Sequence, residues 1–462
     1  MVDQRKKNFV LDTNVALHSP NCLDTFENND IYIPAVVLEE LDKLKTNYDT
    51  KGYNAREFIR KLESLRKSGN LVDGVALPAG GKLYVKFYND SIKVPSDFSE
   101  SKNDNYILAV ALEIKDNSRE DTALVSKDVS LRIKANVLGL HAEDYYHDKS
   151  KETLILGGDT ITTEDIIIDE LYLKNELMLE EVSILNDTPK KFANNDYCLI
   201  KSIENEKKSA LIKIKNISGA NICEVIKTDI PVLGINPINY RQKFLLNALA
   251  NPSIKVVFAI GIAGTGKTLL SIGAGLTGVL NKEYKKMVVT RSPVPMGRDI
   301  GYLPGKISEK MDPWLKPIYD NLEFIVDQLN DDNNPVIKEE GLLKKHMNEI
   351  TMEYLKATNI IEIESLTFIR GRTFSDTFLI VDEAQNLTPH EAKTIISRVG
   401  KNSKIVLTGD PFQIDNPYLD ERDNGLVYSS EKFKLHNSNI AATIYLDRCE
   451  RSELAQQAAD FL

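Results

Sequence analysis

The residues best equipped for chemistry stand together at Gly261-Ile-Ala-Gly-Thr-Gly-Lys-Thr268, which matches the pattern GxxxxGK[ST]. The run KVVFAI before it reads as an apolar strand, and TLLSIGAGLTGVL after it reads as a helix. Strand, glycine-rich loop and helix in that order make a phosphate cradle, because the glycines let backbone N–H groups close around phosphate oxygens. Gly261, Ile262, Ala263, Gly264, Thr265, Gly266, Lys267 and Thr268 are therefore the expected contacts of ATP. Lys267 would neutralise the β- and γ-phosphates and Thr268 would ligate Mg2+. A chance glycine-rich turn rarely sits between a strand and a helix in this way.

Four further stretches fit around a nucleotide. Phe378-Leu-Ile-Val-Asp-Glu383 is a strand ending in two carboxylates. Asp382 would hold Mg2+ directly or through water, and Glu383 would polarise the attacking water. Thr408-Gly-Asp-Pro-Phe-Gln413 follows another apolar strand, and Asp410 and Gln413 at its carboxyl end are placed to sense a γ-phosphate. Upstream, the amide of Gln242 could read adenine and Tyr240 could stack on it. Near the end, Arg448 and Arg451 are arginine-finger candidates; salt bridging at a helix start competes with that reading.

The first third of the chain offers acids instead. Asp12, Glu40, Asp104 and Asp128 each fall at the carboxyl end of an expected strand or in the first turn of the following helix. In a parallel sheet those ends share one crevice. Four carboxylates there repel one another unless hard cations lie between them, and Mg2+ or Mn2+ among oxygen ligands can activate water for phosphodiester cleavage. Asn14, Asn105 and Ser126 could orient ligands or water. The competing reading is helix capping, for which aspartate is favoured, and Asp104 viewed alone fits a cap better than a ligand. His141, Asp144, His147 and Asp148 also cluster, but their spacing is no zinc motif and a solvated domain end accounts for them.

These groups need scaffolds. The chain has 462 residues, 42% of them hydrophobic and 27% charged, enough for two to four ordinary globular domains. The apolar run from Val256 to Ala263 is too short to cross a bilayer, and the opening residues hold no apolar stretch of signal-peptide length, so neither membrane insertion nor secretion is expected. Four cysteines, Cys22, Cys198, Cys223 and Cys449, form no CxxC pair, which speaks against a disulfide scaffold or structural zinc and for a reducing cytoplasm. A net charge of −10 means that nucleic-acid binding must rest on local patches. Residues 1–148 alternate strands (NFVLD, DIYIP, KLYVKFY, TALVSKD) with helical periodicities, as a parallel α/β sheet requires. Residues 149–230 hold short runs, VSILND, DYCLIKSI, SALIKIKNI and NICEVIK, which suggest a small β-rich segment. Residues 231–462 return to α/β alternation, with KVVFAIG, KMVVTRS, NIIEIES, TFLIVDE, KIVLTGD and ATIYLD as six strands of one doubly wound core.

Residues 231–462 resemble the PhoH-like ATPases, relatives of superfamily 1 helicases. The likeness is carried by GIAGTGKT, VTRSPVPMGRDIGYLPG, FIRGRTFSDTFLIVDEAQN, TGDPFQID and RCERSELA, in that order. Residues 8–147 resemble the PIN domain, a metal-dependent ribonuclease fold, through LDTNV, VVLEELDKLK, NDNYILAVAL and LVSKDVSLRIKANVLG. The PIN resemblance selects Glu40 over Glu39, since the family's acid precedes the leucine of "EL" and only one of two adjacent side chains would point inward. The PhoH resemblance implies ATP hydrolysis coupled to RNA, often in ring-shaped oligomers, a hexamer among the candidates. A superfamily 1 helicase reaches an arginine across two tandem cores. This chain has one P-loop core, so its finger would come most simply from a neighbouring subunit.

A path for the strand is also suggested. Residues 285–316 hold seven basic residues against three acidic ones, among them Arg291, Arg298, Lys306 and Lys310, interleaved with Tyr302 and the only tryptophan, Trp314. Cations that track phosphates and rings that stack bases make a single-strand channel; an amphipathic surface with a core tryptophan is the alternative. Phe368-Ile-Arg-Gly-Arg372 is a second candidate. The expected whole is an ATP-dependent RNA helicase or translocase coupled to a metal-dependent endoribonuclease, using ATP and Mg2+ or Mn2+, with single-stranded RNA and further copies of itself as partners. An ATP-dependent RNA-binding switch or scaffold with a non-cleaving PIN fold is the main alternative, and a DNA-directed helicase a third.

Overall fold

A computed structural model describes residues 6–47, 50–89, 92, 102–145, 160–182, 192–228, 230, 232–292, 307–330, 355, 358–369, 371–416 and 419–450. Contacts divide the chain into two compact units, Met1–Thr153 and Leu154–Leu462.

The first unit contains β1 (Lys7–Leu11), α1 (Thr13–His18), β2 (Asp30–Pro34), α2 (Ala35–Leu44), α3 (Thr50–Arg66), β3 (Val75–Ala76), β4 (Lys82–Lys86), α4 (Lys102–Asn117), β5 (Asp121–Val125), α5 (Val129–Val137) and β6 (His141–Glu143). Its sheet runs β3-β4-β2-β1-β5-β6 and is parallel except for the edge strand β3. Strand β1 lies inside it, buried from Asn8 to Leu11. Asp12 and Asp128 each cap the helix that follows them, and Pro34 ends β2 where α2 begins, since its ring fixes φ and removes a donor. The carboxyl ends of β1, β2 and β5 consequently open on one crevice beside these helix starts.

The second unit begins with a five-stranded sheet: β7 (Thr160–Thr163), α6 (Asp165–Lys174), β8 (Glu176–Met178), α7 (Leu179–Val182), β9 (Tyr197–Ser202), β10 (Ser209–Ile217) and β11 (Ala220–Val225). The strand order is β7-β9-β10-β11-β8, antiparallel apart from the β7–β9 pair. The runs DYCLIKSI, SALIKIKNI and NICEVIK supply β9 to β11. Val182 closes α7, and the rest of VSILND lies outside the described residues.

The remainder is α8 (Tyr240–Ala250), β12 (Val256–Gly261), α9 (Lys267–Leu280), β13 (Lys286–Arg291), α10 (Ile307–Asn330), β14 (Ile361–Ser365), β15 (Thr377–Asp382), α11 (Pro389–Ile396), β16 (Lys404–Gly409), α12 (Gly425–Leu435) and β17 (Ala441–Leu446). All six strands are parallel, in the order β14-β13-β15-β16-β12-β17, and correspond one for one to the six expected runs. Strands β12, β15 and β16 are buried at every residue because both faces are covered. Val257, Ala259, Ile380 and Val406 join a core with α8 and α9, whereas Phe258, Ile260, Leu379 and Leu407 join one with α11 and α12. Helix α9 lies close on the sheet: a Cβ at Gly275 would fall 2.6 Å from Met287 Sδ. The β-rich sheet is tied to this core. Asn195 Nδ2 donates to the carbonyls of Asn439 (3.0 Å) and Ala441 (3.1 Å), and Tyr197 Oη donates to Asn247 Oδ1 at 2.9 Å.

Lys404, the first residue of β16, is only 1% exposed. Its ammonium donates to the carbonyls of Ala248 (3.0 Å), Leu249 and Asn251 (2.8 Å), the end of α8, where helix carbonyls lack partners of their own. Lys404→Met keeps the apolar stem and leaves those carbonyls unsatisfied. We expect a loss on the order of 3 kcal/mol, measured by urea unfolding of the full chain through fluorescence of Trp314, the only tryptophan. An unchanged midpoint would show that the carbonyls find other partners.

Candidate active sites

In the first unit, Asp12 is 6% exposed at the carboxyl end of β1. Its Oδ1 accepts from Thr13 N and its Oδ2 from Ser126 Oγ, both at 2.6 Å. Burial pushes its carboxyl up to about 6, against the pull of those two donors, and the charges of Asp104 and Glu40 push the same way. Glu40, on α2, is half-buried while Glu39 is exposed. Its two oxygens accept from Thr13 Oγ1 and Asn103 Nδ2. Asp104, in the first turn of α4, meets the ammonium of Lys134 at 3.2 Å. Glu40 and Asp104 therefore both act electrostatically on Asp12.

Asp128 is placed differently. It is exposed, its Oδ1 accepts from Ser130 N (2.7 Å) and Leu131 N (3.3 Å), and it caps α5. Ser126 links it to the rest: the hydroxyl that serves Asp12 accepts from Asp128 N (2.9 Å) and from Asn14 Nδ2 (3.3 Å). The donor set is entirely oxygen and acidic, the chemistry that suits a hard divalent cation such as Mg2+ or Mn2+, although no three of these carboxylates stand close enough together to share one ion as they are placed. Thr13 and Asn103 were not singled out in the sequence; their adjacency to Asp12 and Asp104 was the available signal. His141 pairs with Glu143 on the edge strand β6 and Asp144 with Arg132. His147 and Asp148 lie outside the described residues.

In the second unit the P-loop joins β12 to α9. Gly266, at φ 87°, takes the left-handed turn that admits the loop to the helix. The ammonium of Lys267 donates to the carbonyls of Gly261 and Ile262, each at 2.7 Å, within the loop. Thr268 Oγ1 donates to Asp382 Oδ1 at 2.9 Å, and Thr408 Oγ1 donates to the same oxygen at 2.6 Å. Lysine, hydroxyl and carboxylate thus converge at the carboxyl ends of β12, β15 and β16, and the set suits a nucleotide phosphate with Mg2+.

Glu383 follows in left-handed backbone, φ 54°. Burial and the charge of Asp382 raise its carboxyl above the ordinary glutamate value, while Gln385, Arg291 and Lys267 oppose the shift. Gln385 Oε1 accepts from Asp410 N at 3.2 Å, and Gln385 Nε2 donates to Gln413 O at 2.9 Å. Asp410 is buried, with Oδ1 accepting from Phe412 N, whereas the Gln413 side chain is exposed. Gln242 is buried with both ends of its amide engaged: Oε1 accepts from Ile238 N (2.7 Å) and Nε2 donates to Thr265 O (3.1 Å), so it braces the loop. Tyr240 is half-buried, edge-on to Phe244.

Glu450 N donates to Gly264 O at 2.9 Å, which brings the segment after β17 against the P-loop. From there Arg448 extends into solvent, its side chain 74% exposed, 3.6 Å from Glu450 Oε1. Arg451 lies outside the described residues, as do Arg298, Tyr302 and Lys306 and the side chains of Lys310, Trp314 and Phe368. Arg372 pairs with Glu362 and Glu364. Gln385, Thr408 and Glu450 were given no role in the sequence, although each lies in a quoted motif: Gln385 two residues beyond Glu383, Thr408 two before Asp410, and Glu450 between Arg448 and Arg451.

The raised Asp12 carboxyl has a pH signature. Folded Asp12 takes its proton near pH 6 and an unfolded aspartate near 4. Between these values the folded state binds the extra proton, so stability rises as pH falls through 6 and levels off below 4; above 6 the buried charge costs its full amount. In metal-free protein the melting temperature of Asp12→Asn should exceed that of the wild type at pH 8, and the gap should shrink toward pH 4.5. A gap independent of pH would mean that Asp12 does not carry this buried charge.

Comparison with known proteins agrees with both halves. Residues 234–462 match the family described as PhoH-like protein, and residues 9–146 match the PIN domain. The Protein PhoH2 of Bacillus subtilis (strain 168) is 41% identical, over 99% of this chain and 100% of its own. Proteins of the same name from Mycolicibacterium smegmatis and Thermobispora bispora are 32% and 33% identical, over 100% and 99% of this chain and 98% and 96% of theirs. With both domains in the same order and relatives aligned along the full length, the chain belongs to the PIN–PhoH fusion family, PhoH2.

Proposed function

We propose that this protein is an ATP-dependent RNA helicase or translocase coupled to a metal-dependent endoribonuclease, with the division of labour falling at residues 1–148, 149–230 and 231–462. The observation that carries the proposal is the presence in one chain of two crevices at the carboxyl ends of parallel strands. One holds Lys267, Thr268, Asp382 and Glu383; the other has Asp12 at its base, within the electrostatic reach of Glu40 and Asp104. In the first, Lys267 meets the β- and γ-phosphates, Thr268 and Asp382 hold Mg2+, and Glu383 orients the attacking water, while Asp410 and Gln413 respond to the γ-phosphate. In the second, Asp12, Glu40 and Asp104 hold Mg2+ or Mn2+, with Asp128 at the rim. A cation held there supplies charge neutralisation at the scissile phosphate and an activated water.

Arg448 supports a ring of identical subunits. It projects into solvent from a segment bonded to its own P-loop, as a residue that serves a neighbouring nucleotide would. Arg451 shares the proposal on sequence alone. Four buried cysteines, none of them in a disulfide, support a cytoplasmic home. No helix among the described residues is long and apolar enough to cross a membrane.

ATP turnover and cleavage measured together on labelled RNA and DNA of matched sequence test the proposal. We expect RNA to be cleaved in Mn2+ and to stimulate turnover. An RNA that is bound but never cleaved, in either metal, would favour the switch or scaffold. Lys267→Ala should lower ATP turnover about 100-fold or more while leaving Mn2+-dependent cleavage of short unstructured RNA within about twofold. Parallel loss of both activities would reject two separate sites.

Arg448→Ala subunits should be nearly inactive as ATPases yet bind nucleotide, and mixing them with Lys267→Ala subunits should restore part of the turnover. A fully active monomer would sink the shared finger.

A further inference from the structure

Both oxygens of Glu383 are held by the protein. Oε2 accepts from Gln385 Nε2 at 2.6 Å and Oε1 accepts from Arg291 Nη2 at 2.9 Å. The two holders are unlike. Gln385 is fully buried, and its amide is also bonded to the backbone at Asp410 and Gln413, so it is a fixture of the site. Arg291 is the last residue of β13, beside Asp382 in the strand register, and its side chain is 21% exposed. A guanidinium presents a planar fork that fits a phosphate as well as a carboxylate. On a chain of net charge −10, a polynucleotide must find local cations of this kind.

We propose that Arg291 couples RNA binding to ATP hydrolysis: a phosphodiester group of single-stranded RNA draws the guanidinium away from Glu383 and frees the carboxylate for the attacking water. The inference rests on the reading of Glu383 as the residue that orients that water. With Arg291 on Oε1 and Gln385 on Oε2, the carboxylate faces its own protein, and turnover without RNA is slow. When RNA takes Arg291, Gln385 still holds Oε2 and fixes the direction in which Oε1 is presented. Because the two anions compete for one cation, the coupling is reciprocal: removing the charge of Glu383 must tighten RNA binding.

The test compares the wild type with Arg291→Gln, Glu383→Gln and the double variant, all as full-length chains. Affinity for a fluorescent single-stranded RNA is measured at low salt without nucleotide, with DNA of the same sequence as a second arm. ATP turnover is measured with and without saturating RNA. We expect RNA to stimulate the wild type about tenfold, the equivalent of about 1.4 kcal/mol. Arg291→Gln should already turn over at the stimulated rate without RNA, gain nothing from it, and bind RNA several-fold more weakly. Glu383→Gln should bind RNA several-fold more tightly, although it does not turn over, and the double variant should bind as Arg291→Gln does. Low turnover of Arg291→Gln with and without RNA, at unchanged nucleotide affinity, would overturn the proposal and make Arg291 a positioning residue for Glu383. Unchanged RNA affinity in Glu383→Gln would overturn it equally. A wild type without ATP turnover would instead reject the ATPase reading, and the RNA affinities would still decide whether Arg291 is shared.

Discussion

Asp382 Oδ1 accepts hydrogen bonds from Thr268 and Thr408 at once, at 2.9 and 2.6 Å. That one buried oxygen joins the strand it ends to the first turn of the P-loop helix and to the neighbouring strand β16. Everything around the nucleotide site takes its position from this junction. Thr268 fixes α9, which lies close on Met287 and Phe378 at Gly275. Thr408 fixes the strand that leads to Asp410. Glu383 follows Asp382 directly and reaches Arg291 and Gln385. A carboxylate this deep is tolerated because two hydroxyls replace the water it has lost.

The first unit meets the same constraint with different parts. Asp12 is equally buried and equally placed at the end of an inner strand, and a serine hydroxyl and a backbone amide take the place of the two threonines. Its neighbours Glu40 and Asp104 add repulsion, only partly offset by Lys134. An acidic cluster held in this way opposes folding through its own repulsion. Residues that hold a site together and residues that strain it are thus adjacent in both crevices.

The sequence showed the elements better than it showed their contacts. The strands of the P-loop sheet were legible because burial on both faces makes them nearly continuous apolar runs, and the phosphate loop because its spacing leaves few other structures. Strands β7 and β8 and helix α6 were not named, since they are short and carry no clear alternation. The site pairs were hidden for another reason. Glu40 meets Asn103 across 63 residues and Arg291 meets Glu383 across 92, and no local pattern encodes either. Gln242 shows the limit of reading a residue by type: an amide suited to adenine is, in the fold, engaged at both ends in bracing the loop.

On the proposed function, a motor in one part of the chain delivers RNA to a nuclease in another. The measurement that tests it most directly is the position of cleavage on an RNA with a single-stranded tail leading into a long duplex, followed in Mn2+ with and without ATP. Cuts should be confined to the tail without ATP and should advance through the duplex with it. An identical cleavage pattern under both conditions, from a protein that is hydrolysing ATP, would contradict it.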